Sequence, residues 1–270
     1  MTLVNRFSEG CGLFEFDIAT PLFDQLAADF ELLTPAPLQP ESLRTVESRP
    51  GLYGLHHQGS LVYVGKADES ARERLSKHRR QLEGRIGMTP EEVSFRCLHF
   101  AHTWDPFKPE SHMIRKYSPG WNLRGFGPND PGRMRDKTRL KDDHWHVQYP
   151  INPDYPCEGI PAGDYDVLEL LRLVCKEAPY WVRFQGNRSG KTEEEQQLHE
   201  EAHRDFSASR LVSVPAERMS VRDLICLAVQ ALPYPSEWQV TILPSHLLIY
   251  KEVNEVYPRM NVIWPLQSSL

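Results

Sequence analysis

Apolar residues recur at two different periods along the chain, and each change of period marks an element. Leu22, Phe23, Leu26, Ala27 and Phe30 return every three or four positions, which predicts a helix within the first thirty residues. Thr34–Pro40 carries Pro35, Pro37 and Pro40 and reads as an extended, proline-stiffened linker. Three strand-like runs follow, Gly51–Leu55, Leu61–Lys66 and Ser94–Ala101, and the connection His56–Ser60 is short enough to make the first two a hairpin. Glu69–Glu83 contains neither Gly nor Pro and lines up Ala71, Leu75 and Leu82 on one side, so it predicts a helix. Pro109 suits the first turn of another helix, given an apolar stripe by Met113, Ile114 and Tyr117 and stopped by Pro119-Gly120. Gly125–Gly132 is dense in Gly, Pro, Asn and Asp, the composition of a structured loop.

Pro150–Gly163, with four prolines and two glycines, is the best internal boundary. Beyond it the pattern predicts a helix capped by Asp164 or Asp166 and running to Lys176, then a strand over Tyr180–Phe184. A very polar helix follows over Thr192–Phe206, and an apolar one over Ser220–Leu232. Strands over Trp238–Leu243 and Leu247–Val253 complete the series. The expected organisation is therefore an N-terminal helix and linker over 1–45, a central domain over 46–150, and an α+β accessory domain over 160–270.

Composition adds the setting. No apolar run approaches the roughly 20 residues of a membrane span, and Met1–Arg6 lacks the pattern of a signal peptide. Cysteines at 11, 97, 157, 175 and 226 are odd in number and show no Cys-x-x-Cys spacing, which favours reduced thiols over a zinc ribbon or disulfide scaffold. A cytoplasmic protein with no membrane partner is the expectation. The net charge of −6 argues against a polyanion partner until its distribution is considered. Between Gly51 and Lys141 there are 17 Lys and Arg against 10 Asp and Glu, a difference of +7, whereas the segments on either side are acidic. A basic centre in an acidic chain points to a local polyanion site.

The same stretch holds the candidate chemistry. Arg74 and His78 are four apart, so a helix presents them on one face. Phosphodiester cleavage needs a base for water, a cation for the developing phosphorane charge and help for the leaving oxygen. An arginine fork suits phosphate oxygens, a carboxylate such as Glu110 suits one Mg²⁺, and a strand tyrosine becomes a base where nearby cations lower its pKa. Each residue also has a plain structural use: tyrosines pack, an Arg/His pair decorates a solvated face, Glu110 complements a helix dipole and Asn122 holds a turn. The set, taken in order, is what those uses leave unexplained.

Gly51-Leu52-Tyr53 and Tyr63-Val64-Gly65, followed by Arg74, His78, Glu110 and Asn122, resemble the GIY-YIG nucleases. Within that superfamily the segment looks most like the type II restriction enzymes that are SacII isoschizomers. Trp121-Asn122, Gly125-Phe126-Gly127, Pro131-Gly132 and the twelve-residue step from Glu110 to Asn122 carry that closer likeness. The resemblance implies a small mixed β-sheet with flanking helices that cleaves double-stranded DNA with Mg²⁺, Mn²⁺ being an expected substitute, as a homodimer on its target. It implies that Tyr53 activates water as base or relay, with Tyr63 close by. Arg74 would stabilise the phosphorane, His78 assist proton transfer, Glu110 bind the metal and Asn122 fix the geometry. Lys66, Lys77, Arg80 and Arg133 are the further candidates for contact with DNA. Two departures stand out: the loop between the two strand motifs is shorter than in those enzymes, and the C-terminal half has no counterpart among them.

Other patterns compete less well. His199-Glu200-Glu201-Ala202-His203 has zincin spacing, but Glu201 brings a charge where zincins carry a neutral residue, and the helix reads as polar on nearly every face. Gly186–Thr192 has three residues between its glycines where a P-loop needs four. His144-Trp145-His146 reads as a strand with a packed Trp and exposed histidines. A catalytically idle DNA-binding protein remains the rival from another class, with a zinc metallopeptidase behind it.

Overall fold

The computed structural model describes residues 19–100, 108–127, 136–186, 193–251 and 254–265. The fold is α+β, built on two four-stranded sheets. Helix α1 (Ala19–Leu32) leads into β1 (Ala36–Pro37) and α2 (Pro40–Thr45), followed by the hairpin β2 (Gly51–His57) and β3 (Ser60–Ala67). At its tip Gln58 and Gly59 both take positive φ, 50° and 77°, as a tight two-residue turn matched to strand twist requires. Helix α3 (Ala71–Glu83), β4 (Val93–His99), α4 (Pro109–Tyr117) and α5 (Gly120–Leu123) complete this part of the chain, and the strand order is β1-β4-β2-β3. Every described pairing in this sheet is antiparallel.

Side-chain alternation divides the sheet into two faces. Leu52 and Val64 pack beneath α1 and α4 with Phe23, Ala27, Phe30 and Met113. Tyr53, Leu55, Tyr63 and Phe95 face the other way, against Ala71, Leu75 and Leu82 of α3. One-residue alternation thus puts both motif tyrosines on the same side as the helix carrying Arg74 and His78.

The proline-rich stretch is extended but is not a free linker. Ala36 and Pro37 pair with Phe95 and Ser94 at the sheet edge, where a missing N–H is tolerated. Leu38, Leu43 and Val46 are buried in the same core as Tyr53. His144-Trp145-His146 also departs from expectation. Trp145 opens the short helix α6 (Trp145–Gln148), and the ring of His146 is buried against it while His144 stacks on His146 at 5.3 Å. His144 is the extended N-cap of that helix, its Nδ1 accepting from the His146 N–H at 3.2 Å, so only the packed Trp agrees with the sequence pattern.

The C-terminal part contains β5 (Gly163–Tyr165), α7 (Val167–Glu177), β6 (Trp181–Phe184), α8 (Glu193–Ser207), β7 (Val212–Val214), α9 (Val221–Gln230), β8 (Gln239–Ile242), β9 (His246–Tyr250) and β10 (Asn261–Trp264). Its sheet has the order β10-β8-β9-β6 and includes the parallel pair β6/β9. Ser220 caps α9 by accepting from the backbone N–H of Asp223, and Leu224, Ile225, Ala228 and Val229 of that helix are buried with Leu170, Leu171 and Val174 of α7. Helix α8 is less uniformly polar than its sequence reads: Ala202 and Phe206 enter the core, and Asp205 accepts from Trp238 Nε1 at 3.1 Å. Buried Asp136 ties the basic stretch to this sheet, bonding Arg183 at 2.6 Å, His246 Nε2 at 2.7 Å and the Tyr250 hydroxyl at 3.3 Å.

Candidate active site

Tyr53 lies at the centre of the site. It is fully buried, and its hydroxyl lies 2.9 Å from Nε2 of His78. The ring crosses β3 at Gly65, its register partner. A Cβ at position 65 would lie 2.5 Å from the Tyr53 oxygen, so this glycine is the space the tyrosine occupies. The Tyr63 ring lies 6.2 Å from that of Tyr53 and 5.0 Å from His78. Arg74, one helical turn before His78, lies beside the Tyr53 hydroxyl and adds positive charge there.

Electrostatics follow from this packing. Burial, reinforced by Tyr63, raises the Tyr53 phenol far above its ordinary value, and Arg74 only partly opposes that shift. Burial also lifts Tyr63, with Glu110 adding to the effect. Burial, then the charge of Arg74, pushes His78 down to about 3, so its imidazole is neutral at physiological pH. Its Nδ1 meets no hydrogen-bond partner. Phe126 supplies much of the wall, stacking on His78 at 5.0 Å and meeting Tyr63 edge-on at 5.1 Å. Trp145 backs Phe126 at 4.6 Å, with Trp121 at 4.9 Å.

Glu110, in the first turn of α4, is half-buried. Its carboxyl is raised by burial, lowered by Arg74, raised again by Asp68, and lowered by Lys66 through both charge and a backbone hydrogen bond. Two carboxylates and two cations thus share this mouth of the site. Among the described residues no group of three or more His, Cys, Asp and Glu is placed to hold a metal. That donor set suits an ion that brings its own water ligands and needs one protein carboxylate, as Mg²⁺ does. Glu110 fits that requirement, because a dication would relieve the desolvated carboxylate.

Asn122 acts on the backbone. Val64 pairs with Gly54 so that its N–H and C=O point away from β2, toward the open side of the edge strand β3. Asn122 Oδ1 accepts from the Val64 N–H at 2.8 Å and Nδ2 donates to the Val64 carbonyl at 2.8 Å. The side chain stands in for a missing strand and fixes the residue between Tyr63 and Gly65.

The structure therefore brings together Tyr53, Tyr63, Arg74, His78 and Glu110, and attaches Asn122 to their frame. Lys66 pairs with Asp68 at 2.7 Å near Glu110, and Lys77 is exposed on α3. Arg80, expected to face DNA, instead donates to the carbonyls of Glu177 at 3.0 Å and Ala178 at 3.4 Å, and to that of Lys176. Arg133 and Pro131-Gly132 lie outside the described residues, as do 187–192 of the glycine-flanked loop. In the zincin-like stretch, His199 Nδ1 accepts from the Gly186 N–H at 2.8 Å, a structural use of that ring. Sequence reasoning did not assign Gly65, Asp68 or the wall role of Phe126. The Tyr53↔Gly65 pairing was the available clue to the first, since it follows from the hairpin register.

No helix among the described residues is long and apolar enough to cross a membrane. No curated protein matches the chain. Residues 57–150 do match a family model, described as the Eco29kI GIY-YIG domain. The match begins four residues after Tyr53 and takes in Tyr63, Arg74, His78, Glu110 and Asn122. Over residues 57–150 the chain is thus similar to a GIY-YIG domain of restriction-endonuclease type, and that stretch carries all but one of the assembled site residues.

Proposed function

We propose that this protein is a Mg²⁺-dependent endonuclease that hydrolyses double-stranded DNA, of the sequence-specific type II restriction class. The observation that carries the reading is the buried Tyr53–His78 hydrogen bond of 2.9 Å with the Arg74 charge beside that hydroxyl and the Glu110 carboxylate nearby. Packing alone would not require a phenol, an imidazole and a guanidinium to converge on one oxygen.

Burial keeps the Tyr53 phenol protonated at neutral pH, so it acts as a relay. Its oxygen accepts a proton from the attacking water while its own hydrogen passes to Nε2 of His78, with the hydrogen of the neutral ring held on Nδ1. The imidazolium so formed is opposed by burial and by Arg74, and it returns its proton within the turnover. Arg74 faces the oxygens of the scissile phosphate and stabilises the charge that grows on them. Glu110 would hold the metal, which when bound supplies Lewis-acid stabilisation of phosphate and leaving oxygen. Asn122 keeps Tyr63 and Gly65 in place through Val64. Lys66 and Lys77 are the basic side chains near enough in the chain to steer the phosphate backbone toward this mouth.

One centre cuts one strand, so a palindromic target requires two copies, and a homodimer on DNA in the cytoplasm is the natural working form. Digestion of long unmethylated DNA with Mg²⁺ or Mn²⁺, followed by sequencing of the ends, tests the reading. Defined ends identify a restriction enzyme and scattered ends a nonspecific nuclease; an uncut plasmid refutes enzymatic function. Glu110→Ala is expected to abolish cleavage while duplex binding, measured by fluorescence anisotropy, stays within a few-fold of wild type. Loss of binding in step with cleavage would deny Glu110 its metal-site role.

A further inference from the structure

Helix α3 carries Arg74 and His78, and its two ends are held by different parts of the chain. At the N-terminal end Ser70 accepts from the Glu73 N–H at 3.2 Å, the Ala71 N–H donates to Arg49 O at 3.0 Å, and Arg72 Nε donates to Val46 O at 2.6 Å. These contacts belong to the GIY-YIG domain and the segment before it. The C-terminal end is held by the other half of the molecule.

Arg80 reaches the last carbonyls of α7, which that helix leaves without internal partners. Gly84, one residue beyond α3, lies flat against the loop after α7. A Cβ there would come within 2.3 Å of Pro179 Cγ and 2.9 Å of Tyr180 Cδ1. The Gly84 carbonyl accepts from Asn152 N at 2.9 Å, just beyond the matched stretch. Arg85, buried and lowered to about 9 by that burial, donates to Pro244 O at 3.2 Å and Tyr149 O at 3.4 Å. Its guanidinium also lies 5.1 Å from the ring of Trp145. Trp145 supports Phe126, and Phe126 stacks on His78. The C-terminal half therefore reaches the imidazole twice, once along α3 and once through Arg85, Trp145 and Phe126.

We propose that the C-terminal half is the brace of the catalytic helix, with Arg80 and Arg85 as positioning residues, so that the active centre depends on residues far outside the GIY-YIG domain. The inference rests on the nuclease reading of the site. It gives a role to a part of the chain that neither the family resemblance nor the family match explains. It also reassigns Arg80, since a guanidinium engaged with three carbonyls is turned toward α7 and not toward a phosphate.

The test uses the full-length chain as wild type, Arg80→Ala, Arg80→Gln and Gly84→Ala, with supercoiled plasmid and Mg²⁺ for kinetics and a nonspecific duplex for binding. Glutamine can donate to a carbonyl but brings no charge to DNA, and Gly84→Ala pushes against the Pro179 ring without altering charge. Displacing the helix is expected to lower kcat about ten-fold or more in Arg80→Ala and Gly84→Ala. KM and the dependence of duplex binding on salt should remain at wild-type values, and Arg80→Gln should recover most of the rate. Hydrogen exchange without DNA is expected to quicken at the amides of residues 78–84 in both low-rate variants. A higher KM in Arg80→Ala, with a salt slope reduced by about 1, would make Arg80 a phosphate contact and overturn the proposal. Unchanged exchange and kcat would overturn it too, as would a rate loss that only tracks the unfolded fraction seen in thermal melts. If wild type fails to cut, the nuclease reading falls while the exchange measurement still judges the brace.

Discussion

The buried imidazole of His78 predicts a specific loss of stability in acid. In the unfolded chain it titrates near its ordinary 6.5, whereas in the fold it is pushed down to about 3. Between those values the unfolded state binds a proton that the folded state refuses, so stability falls as pH drops below 6.5 and the loss is complete near 3. At about 1.36 kcal/mol per pH unit, the interval from 6.5 to pH 5 costs about 2 kcal/mol. Any folded-state value below about 4 gives nearly the same figure at pH 5, because the native ring is already neutral there. His78→Gln keeps a neutral side chain able to bond Tyr53 and removes the titration. Urea unfolding of both proteins at pH 7 and pH 5 isolates the term. Wild type should lose about 2 kcal/mol more than the variant over that span. His56, also buried and lowered to about 4 by burial and Arg96, is common to both and cancels. Parallel losses in the two proteins would mean that His78 is charged or solvated in the fold, and the relay would lose its neutral acceptor.

Other perturbations separate the tyrosine frame from its supports. Gly65→Ala drives a methyl group into the Tyr53 hydroxyl; overpacking should cost about 1–3 kcal/mol and, by breaking the bond to His78, reduce plasmid cleavage about 100-fold. A variant that cuts normally would show that Tyr53 need not occupy its observed place. Asn122→Asp keeps an acceptor for the Val64 N–H but turns an ionised oxygen on the Val64 carbonyl, so a loss of about 1–3 kcal/mol is expected in thermal or urea unfolding. Wild-type stability in that variant would remove Asn122 from the role of backbone clamp.

Much of this frame could be read from the chain because it is local. The β2–β3 hairpin, α3 and the start of α4 each announce themselves by period, a turn or a proline, and they carry Tyr53, Tyr63, Arg74, His78 and Glu110. Contacts between distant residues had no such signal. Asn122 meets Val64 across 58 positions, and Arg80 meets Glu177 across 97. Nothing in the sequence near Arg80 distinguishes a cation that caps another helix from one that faces a phosphate. The proline-rich stretch misled for a related reason: a two-residue edge strand is too short to show alternation, and its prolines are compatible with either a tether or a sheet margin. His144 caps and His146 lies within a helix of four residues, shorter than any periodicity can resolve.

The clamp on Val64 has a bearing on how copies of the molecule behave in solution. An edge strand with a free N–H and C=O is a template for a neighbour's strand, and β3 is such an edge beside the motif tyrosines. By occupying both groups, Asn122 leaves an incoming chain nothing to pair with at that position. The pairing of another strand is therefore opposed at the same place where the tyrosines are held. One carboxamide thus denies a second strand its pairing at Val64, and strand addition along β3 would have to do without that residue.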